Sequence, residues 1–279
     1  MTPPSNSKPP EVKASSAWFE SAFGADYLTV YGHRSPEEAR IQVAWIRKVL
    51  GLDSTTFVLD CACGNGRHVA ALKDLDVPVF GADLSPELLV ASRALFGALP
   101  LVRHDMRALP YLQETFSAVL LLFTSFGYFS SDEEHLRVLS DVRRVLAPGG
   151  VLLLDFMNAV LTLKNLQPES VRAVGELTIT ERRSYDPQSK RINKTIEIFE
   201  PGRGDSVRTY NESVRAFSES ELVLLLEKAH FSIEFTAGDF EGSAFSGEGI
   251  SGGSISRGSI SRGSPRLIIA ARRGKRSSN

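Results

Sequence analysis

Seven consecutive residues, Asp60-Cys61-Ala62-Cys63-Gly64-Asn65-Gly66, carry the strongest chemical signal in the chain. They join an apolar run, Phe57–Asp60, to a helical stretch that opens at Arg67. Small residues in such a turn let the backbone approach a ligand and take left-handed angles. The first N–H groups of the helix that follows face whatever is bound there. The turn lacks the G-x-G-x-x-G spacing of a dinucleotide site, yet it keeps an acid at the strand end. Asp60 can stand near an ammonium group, so a cationic amino-acid cofactor suits the turn better than a dinucleotide. About 20 residues on, Asp83 ends a second strand, where a carboxylate can bind ribose hydroxyls. Asp105-Met106 follows a third strand. There a carboxylate can accept from an adenine amino group while a backbone N–H serves a ring nitrogen. The plainer alternative makes Asp60 and Asp83 ordinary polar residues at strand ends; the ordered set of motifs weighs against it.

Other reactive side chains give weaker signals. Cys61 and Cys63 are the only cysteines in the sequence. Together with His68 they would crowd three ligands into one glycine turn with no fourth partner signalled, a poor tetrahedron. No metal site is expected, and the cysteines read as small packing residues. His33, His104 and His135 are the general-base candidates. No local motif marks any of them, so the catalytic residue is left unassigned.

These residues need elements to position them. Ser35-Pro36-Glu37-Glu38 supplies an N-cap, a proline at N1 and a glutamate at N3 for a helix to about Leu50. Strands are expected at Phe57–Asp60, Pro78–Asp83, Leu101–His104, Ala118–Phe123 and Val151–Phe156, with helices between. Ser85 and Ser131 cap two of these helices, and Pro148-Gly149-Gly150 ends the second. Three strand-like runs between Glu176 and Val214 depart from this alternation and suggest an antiparallel β insertion. Ser218 and Glu221 form a capping box for a last helix. Phe231–Phe235 and Arg266–Ala271 are the final strands. Alternating strands and helices imply an α/β fold with a doubly wound parallel sheet.

Taken together, Asp60 to Gly66, Asp83, Asp105 and the run RRVLAPGGVLLLDF resemble the class I S-adenosylmethionine-dependent methyltransferase family. Ala62 stands where the family commonly has its first glycine. The resemblance covers about Phe57 to Phe156 in detail, and Ser218 to Arg272 less tightly. It implies a Rossmann-like, mostly parallel seven-stranded sheet whose last two strands form a reversed hairpin at one edge. It further implies S-adenosylmethionine as cofactor, with Asp60, Cys61, Ala62, Cys63, Gly64, Gly66, Asp83, Leu84, Asp105, Met106 and Phe123 at its site. The segment FGADYLTVYGHRSPEEA is similar to the N-terminal cap of a small-molecule-type subgroup, which adds Tyr27, Tyr31 and Arg34 around the methionine end. Two readings stand side by side here. The tyrosines, four apart, also fit a helix core stripe, and Arg34 also fits a solvated surface.

The run Phe123-Thr124-Ser125-Phe126-Gly127-Tyr128 follows the fourth strand, where methyl donor meets acceptor. It lacks Asn/Asp-Pro-Pro-Tyr and is closer to amino-sugar and small-amine methyltransferases. Ser125, Phe126, Tyr128 and Arg215 are therefore the acceptor-site candidates, with Glu212 a further lining residue. Against this, Phe126 and Tyr128 also fit the core, and Glu212 with Arg215 also fits a surface pair. The leading expectation is methyl transfer to N, or O, of a small molecule by in-line displacement. An RNA or protein methyltransferase and a non-catalytic cofactor-binding regulator remain as alternatives.

Bulk properties narrow the class. The chain has 279 residues and a net charge of -1, which argues against a nucleic-acid partner. No apolar run is long enough to span a bilayer, and the residues from Met1 have no secretory core. A cytoplasmic monomer or homodimer is expected. The organisation expected is a disordered tail over 1–14, a core with N-terminal cap helices over 15–156, the acceptor-side insertion over 157–217, the remaining core over 218–273 with a flexible loop at 246–264, and a tail over 274–279. The basic stretch Arg272 to Arg276 reads as solvated.

Overall fold

The computed structural model describes residues 17–24, 26–32, 34–202, 204–246 and 264–274. The expected tail at 1–14, most of the loop at 246–264 and His33 lie outside the described residues. In chain order the elements begin with the short helices α1 (Trp18–Ala22) and α2 (Tyr27–Val30), then α3 (Pro36–Leu50). The core follows as β1 (Val58–Cys61), α4 (Arg67–Lys73), β2 (Val79–Asp83), α5 (Pro86–Phe96), β3 (Leu101–Arg103), β4 (Phe116–Leu121), α6 (Asp132–Val145) and β5 (Leu146–Met157). Next come α7 (Ala159–Lys164), β6 (Glu169–Val174), β7 (Leu177–Asp186), β8 (Arg191–Phe199) and β9 (Arg208–Arg215). The chain closes with α8 (Glu219–Lys228), β10 (Phe231–Ala237) and β11 (Arg266–Arg273).

Among the described residues the strands form two sheets. The larger is seven-stranded, in the order β10-β11-β5-β4-β1-β2-β3. Its pairs from β5 to β3 are parallel, and β11 runs antiparallel to both β5 and β10. The reversed edge hairpin expected from the resemblance is thus present. The smaller sheet is antiparallel, in the order β6-β7-β8-β9. Strand order reverses at β1, between β4 and β2, and ligands of doubly wound sheets bind outside the strand ends at such a switch point. The glycine turn and the run after β4 both emerge there.

Local sequence explains most boundaries. Ser35 Oγ accepts from Glu38 N at 3.1 Å, and Ser131 Oγ from Glu134 N at 3.3 Å. Ser218 and Glu221 form the reciprocal capping box. β4 and β5 are almost continuously buried, as a sheet covered on both faces requires. Three expectations need correction. Helix α6 already ends at Val145, because Leu146 turns extended and pairs with Phe116; Pro148-Gly149-Gly150 forms an irregularity at the start of β5. The smaller sheet also has a strand, β6, ahead of the three runs expected from Glu176 onward. Arg272 and Arg273 belong to β11 and pair with Glu234 and Glu114 rather than joining a solvated tail.

Candidate functional site

A cavity of about 440 Å³ lies at the switch point. Its floor is the glycine turn, where Ala62, Gly64 and Gly66 have φ of 60°, 58° and 77°. A side chain at Gly66 would bring Cβ within 2.9 Å of Ser92 Oγ. Cys61 and Cys63 are free and buried. The Cys63 sulfur packs against Gly81, where an added Cβ would come within 2.9 Å of it. Burial, with Asp60 and Asp83 nearby, pushes both thiols up, so neither is a ready thiolate. Among the described residues no group of His, Cys, Asp or Glu is placed to hold a metal.

The acids of the site differ in their surroundings. Asp60 is 1% exposed, and its Oδ2 has no hydrogen-bond partner among the described residues. Burial, reinforced by the Asp83 charge, pushes its carboxyl up to about 8. Asp83 accepts from Gly64 N at 2.7 Å and Ser85 N at 2.8 Å, although burial still raises it. Each of its oxygens keeps acceptor capacity for a further donor. Asp105 instead takes a bidentate grip from Arg107, with Nη2 to Oδ2 at 2.7 Å and Nε to Oδ1 at 3.1 Å. Its burial works against ionisation, but the Arg107 bonds prevail and hold it below the usual range.

The N-terminal helices roof this cavity. Phe19, Phe23, Tyr27, Tyr31 and Arg34 line it together with Leu84, His104, Asp105, Met106, Phe123, Ser125 and Tyr128. The Tyr27 and Tyr31 rings meet at a tilt of 44°, their centres 4.7 Å apart. Arg34 lies over Tyr31 at 4.4 Å from the ring centre and donates to the Tyr27 hydroxyl at 2.5 Å. The tyrosines therefore face the cavity rather than forming a plain core stripe, and Arg34 is not free in solvent.

After β4 the backbone is held in a rare shape. Phe123 and Thr124 have φ of 55° and 63°, sparsely populated angles for such residues. Buried Asp155 on β5 fixes them, accepting from Phe123 N at 2.8 Å through its side chain and from Thr124 N at 2.9 Å through its carbonyl. The Phe123 ring is turned inward between Arg67, at 4.2 Å, and His68, at 5.7 Å. Arg67 pairs with Glu38 at 3.1 Å, and His68 bonds Gln42 at 2.9 Å, tying α4 to α3. Burial, with Arg67 and Arg34 nearby, holds His68 well below its usual range and so neutral.

A second cavity of about 250 Å³ lies between this wall and the smaller sheet. It shares Phe23, Tyr27, Tyr31, Arg34, Phe123 and Tyr128 with the first and adds Thr124, Arg183, Lys194, Glu212 and Arg266. Glu212 accepts from the Tyr31 hydroxyl at 2.6 Å and pairs with Lys194 at 2.9 Å. Neither Lys194 nor Asp155 is visible as a site residue in the sequence. Their roles depend on cross-strand register, which places Lys194 opposite Glu212.

Two acceptor-site candidates fall elsewhere. Phe126 is fully buried and packs on His135 and Phe217, because the left-handed residues before it turn the ring into the core. Arg215 leaves the cavity for Glu221, at 2.9 Å, and lies over the Phe217 ring at 4.7 Å. It makes no pair with Glu212, because the two occupy opposite faces of β9. His135 sits among Phe126, Phe129 and Phe217, and burial pulls it down to about 4. It lines neither cavity.

Comparison with known proteins follows this geometry. Residues 58–150 match a family model described as a methyltransferase domain. The chain is 28% identical over 183 residues to dTDP-3-amino-3,4,6-trideoxy-alpha-D-glucopyranose N,N-dimethyltransferase of Streptomyces venezuelae, covering 64% of this chain and 73% of that protein. The fold is shared with the CcbJ methyltransferase of Streptomyces caelestis, at a TM-score of 0.72 and 19% identity, over 91% of this chain and 99% of that one. It is shared too with S-adenosylmethionine-bound CalS10, an amino pentose methyltransferase of Micromonospora echinaspora, at 0.59 and 20% identity, over 88% and 96% of the two chains. Sheet order, glycine turn and these matches agree, and together they support a class I S-adenosylmethionine-dependent methyltransferase.

Proposed function

We propose that the protein transfers a methyl group to nitrogen on a small-molecule amine, with amino sugars as the first class to test. The observation that carries this reading is the pair of cavities with one aromatic wall. The larger suits the cofactor. Asp60, a buried carboxylate with an orphaned oxygen, suits its ammonium group, and Arg34 suits its carboxylate. Asp83 retains lone pairs for ribose hydroxyls, while Met106 and Leu84 offer apolar surface to the adenine. Cys61, Ala62, Cys63, Gly64 and Gly66 bring the backbone close, and Asp105 would have to share its Arg107 bonds to reach an adenine amino group. Bound there, S-adenosylmethionine supplies an electrophilic methyl group on a good leaving group. What remains for this chain is to position the acceptor and keep water out.

The smaller cavity suits the acceptor. Tyr128 and Phe123 stand between the two spaces, and Ser125 lines the larger one with its hydroxyl donated to Leu122 O at 2.5 Å. A cavity of about 250 Å³ beneath an inserted sheet has room for a small molecule rather than a polymer. The N,N-dimethyltransferase relative acts on a nucleotide-linked amino sugar, as its name states. The test is release of the demethylated cofactor over a panel of free and nucleotide-linked amino sugars, other amines, phenols and tRNA. Turnover with an amine is expected. Turnover confined to tRNA or to phenols would reject the proposal.

A further inference from the structure

The smaller cavity is lined by Arg34, Arg183, Lys194 and Arg266, and among the described residues Glu212 is the one carboxylate that lines it. The cations are already engaged. Arg183 donates to Glu181 and to Ser170 Oγ, the latter at 2.9 Å. Arg266 donates to Asp155 Oδ1 at 2.6 Å and to Thr124 Oγ1 at 3.3 Å. Lys194 binds Glu212 and the Tyr31 hydroxyl. Arg34 donates to the Tyr27 hydroxyl at the boundary with the cofactor cavity. Glu212, with its side chain 14% exposed, is held from two sides. Tyr31 lines both cavities, so the carboxylate lies one hydroxyl away from the cofactor space. Burial and the Glu212 charge keep the Tyr31 proton in place, which makes the hydroxyl a fixed donor rather than a base. An ionised carboxylate offers about four lone-pair sites, so Glu212 retains acceptor capacity after these bonds.

We infer that Glu212 determines the acceptor class: its carboxylate receives an amine N–H and stabilises the positive charge that reaches nitrogen with the methyl group. The inference rests on the methyltransferase reading above and deepens it. The nitrogen lone pair forms the new N–C bond as the C–S bond breaks and leaves its electron pair on sulfur. Positive charge thereby passes from sulfur to nitrogen, and one proton then leaves the nitrogen for water. A fixed carboxylate in a water-poor cavity favours the charge at its destination. No proton need reside on Glu212. A charge-assisted N–H···O bond also separates an amine from a hydroxyl, which can donate but acquires no lasting charge. Sequence spacing alone placed Glu212 beside Arg215; the structure gives it Lys194 and Tyr31 instead.

Sinefungin tests this without knowledge of the acceptor. In that cofactor analogue a carbon bearing a primary amine replaces the methylated sulfur, so an ammonium group projects where the methyl group would. S-adenosylhomocysteine lacks it. Isothermal titration should show wild-type protein binding sinefungin about 10-fold or more tightly than S-adenosylhomocysteine, the size of one charge-assisted bond. In Glu212→Gln the preference should fall to near parity while affinity for S-adenosylhomocysteine holds. Parity in the wild type, or an unchanged preference in the variant, overturns the inference. Failure of the wild type to bind S-adenosylhomocysteine overturns the cofactor reading instead. Glu212→Gln leaves Lys194 without its carboxylate, so the double variant with Lys194→Met removes the pair together. A sinefungin preference surviving in that variant also overturns the inference.

Discussion

At the residue scale, Asp60 is a costly group to bury in its charged form. Its folded pKa of about 8 exceeds the ordinary carboxylate value, so the folded state holds the proton more tightly than the unfolded chain. As pH rises from about 4 toward 8, Asp60 therefore subtracts stability. Asp60→Asn should stabilise the fold, by a margin that widens between pH 5 and pH 8, on the order of a few kcal/mol at most. The same variant should bind S-adenosylhomocysteine about 10-fold or more weakly, because a buried ammonium loses its counter-charge. Calorimetry and a melting series would check both; a variant with neither change would remove Asp60 from the ammonium site. That Asp60 and Asp83 line the larger cavity was legible in the sequence because each stands near a strand's C-terminal end beside a glycine turn. Phe126 was misplaced because positive φ at Phe123 and Thr124 breaks the alternation that sequence spacing assumes. Lys194 was missed because nothing local marks a lysine whose partner sits on the next strand.

At the element scale, the insertion is fastened to the acceptor loop by the Arg191 guanidinium and by a backbone bond from Arg215 N to Gly127 O at 2.8 Å. Arg191 on β8 donates to Phe129 O at 2.8 Å, Tyr128 O at 3.0 Å, Gly127 O at 3.2 Å and Ser213 O at 2.5 Å. Burial, aided by nearby Arg215, lowers its pKa. Arg191→Met should loosen the loop that carries Tyr128. The expected result is loss of acceptor turnover by about 10-fold or more with S-adenosylhomocysteine affinity little changed, read by activity assay and titration. Glu221 shows a related economy. Burial opposes its ionisation, yet bonds from Lys190, the Ser218 backbone and Arg215 bring it down to about 2. That stability is present at neutral pH and lost as pH falls toward 2. Glu221→Gln should therefore melt earlier than wild type at pH 7, with the gap closing in acid. The helices and parallel strands were legible through their caps and apolar runs. β6 was not, because alternate exposure on an edge strand rich in polar residues gives no apolar run.

At the scale of the whole molecule, the N-terminal helices bridge core and insertion. Ser85 Oγ donates to Phe23 O at 2.6 Å, Trp18 Nε1 to Tyr128 O at 3.2 Å, and Arg208 of β9 pairs with Asp26 at 2.8 Å. A ligand in the larger cavity should tighten all three parts. S-adenosylhomocysteine at 100 times its Kd should stabilise the fold by about 2.7 kcal/mol. Hydrogen exchange should slow at residues 27–32 as well as at the glycine turn. Protection limited to the turn would show that the roof takes no part. Among the described residues no helix is long and apolar enough to cross a membrane.

The two sheets share no strand. The surfaces proposed for the cofactor come mainly from one sheet and its roof; those proposed for the acceptor share that roof and add Arg183, Lys194 and Glu212 from the other. Residues on the smaller sheet can therefore accumulate substitutions without dismantling the larger one. A lineage built on this plan could exchange residues 158–217 and acquire a different acceptor while its methyl donor stayed the same. The aromatic wall through Tyr31 and Phe123 is the shared boundary that such an exchange would have to respect.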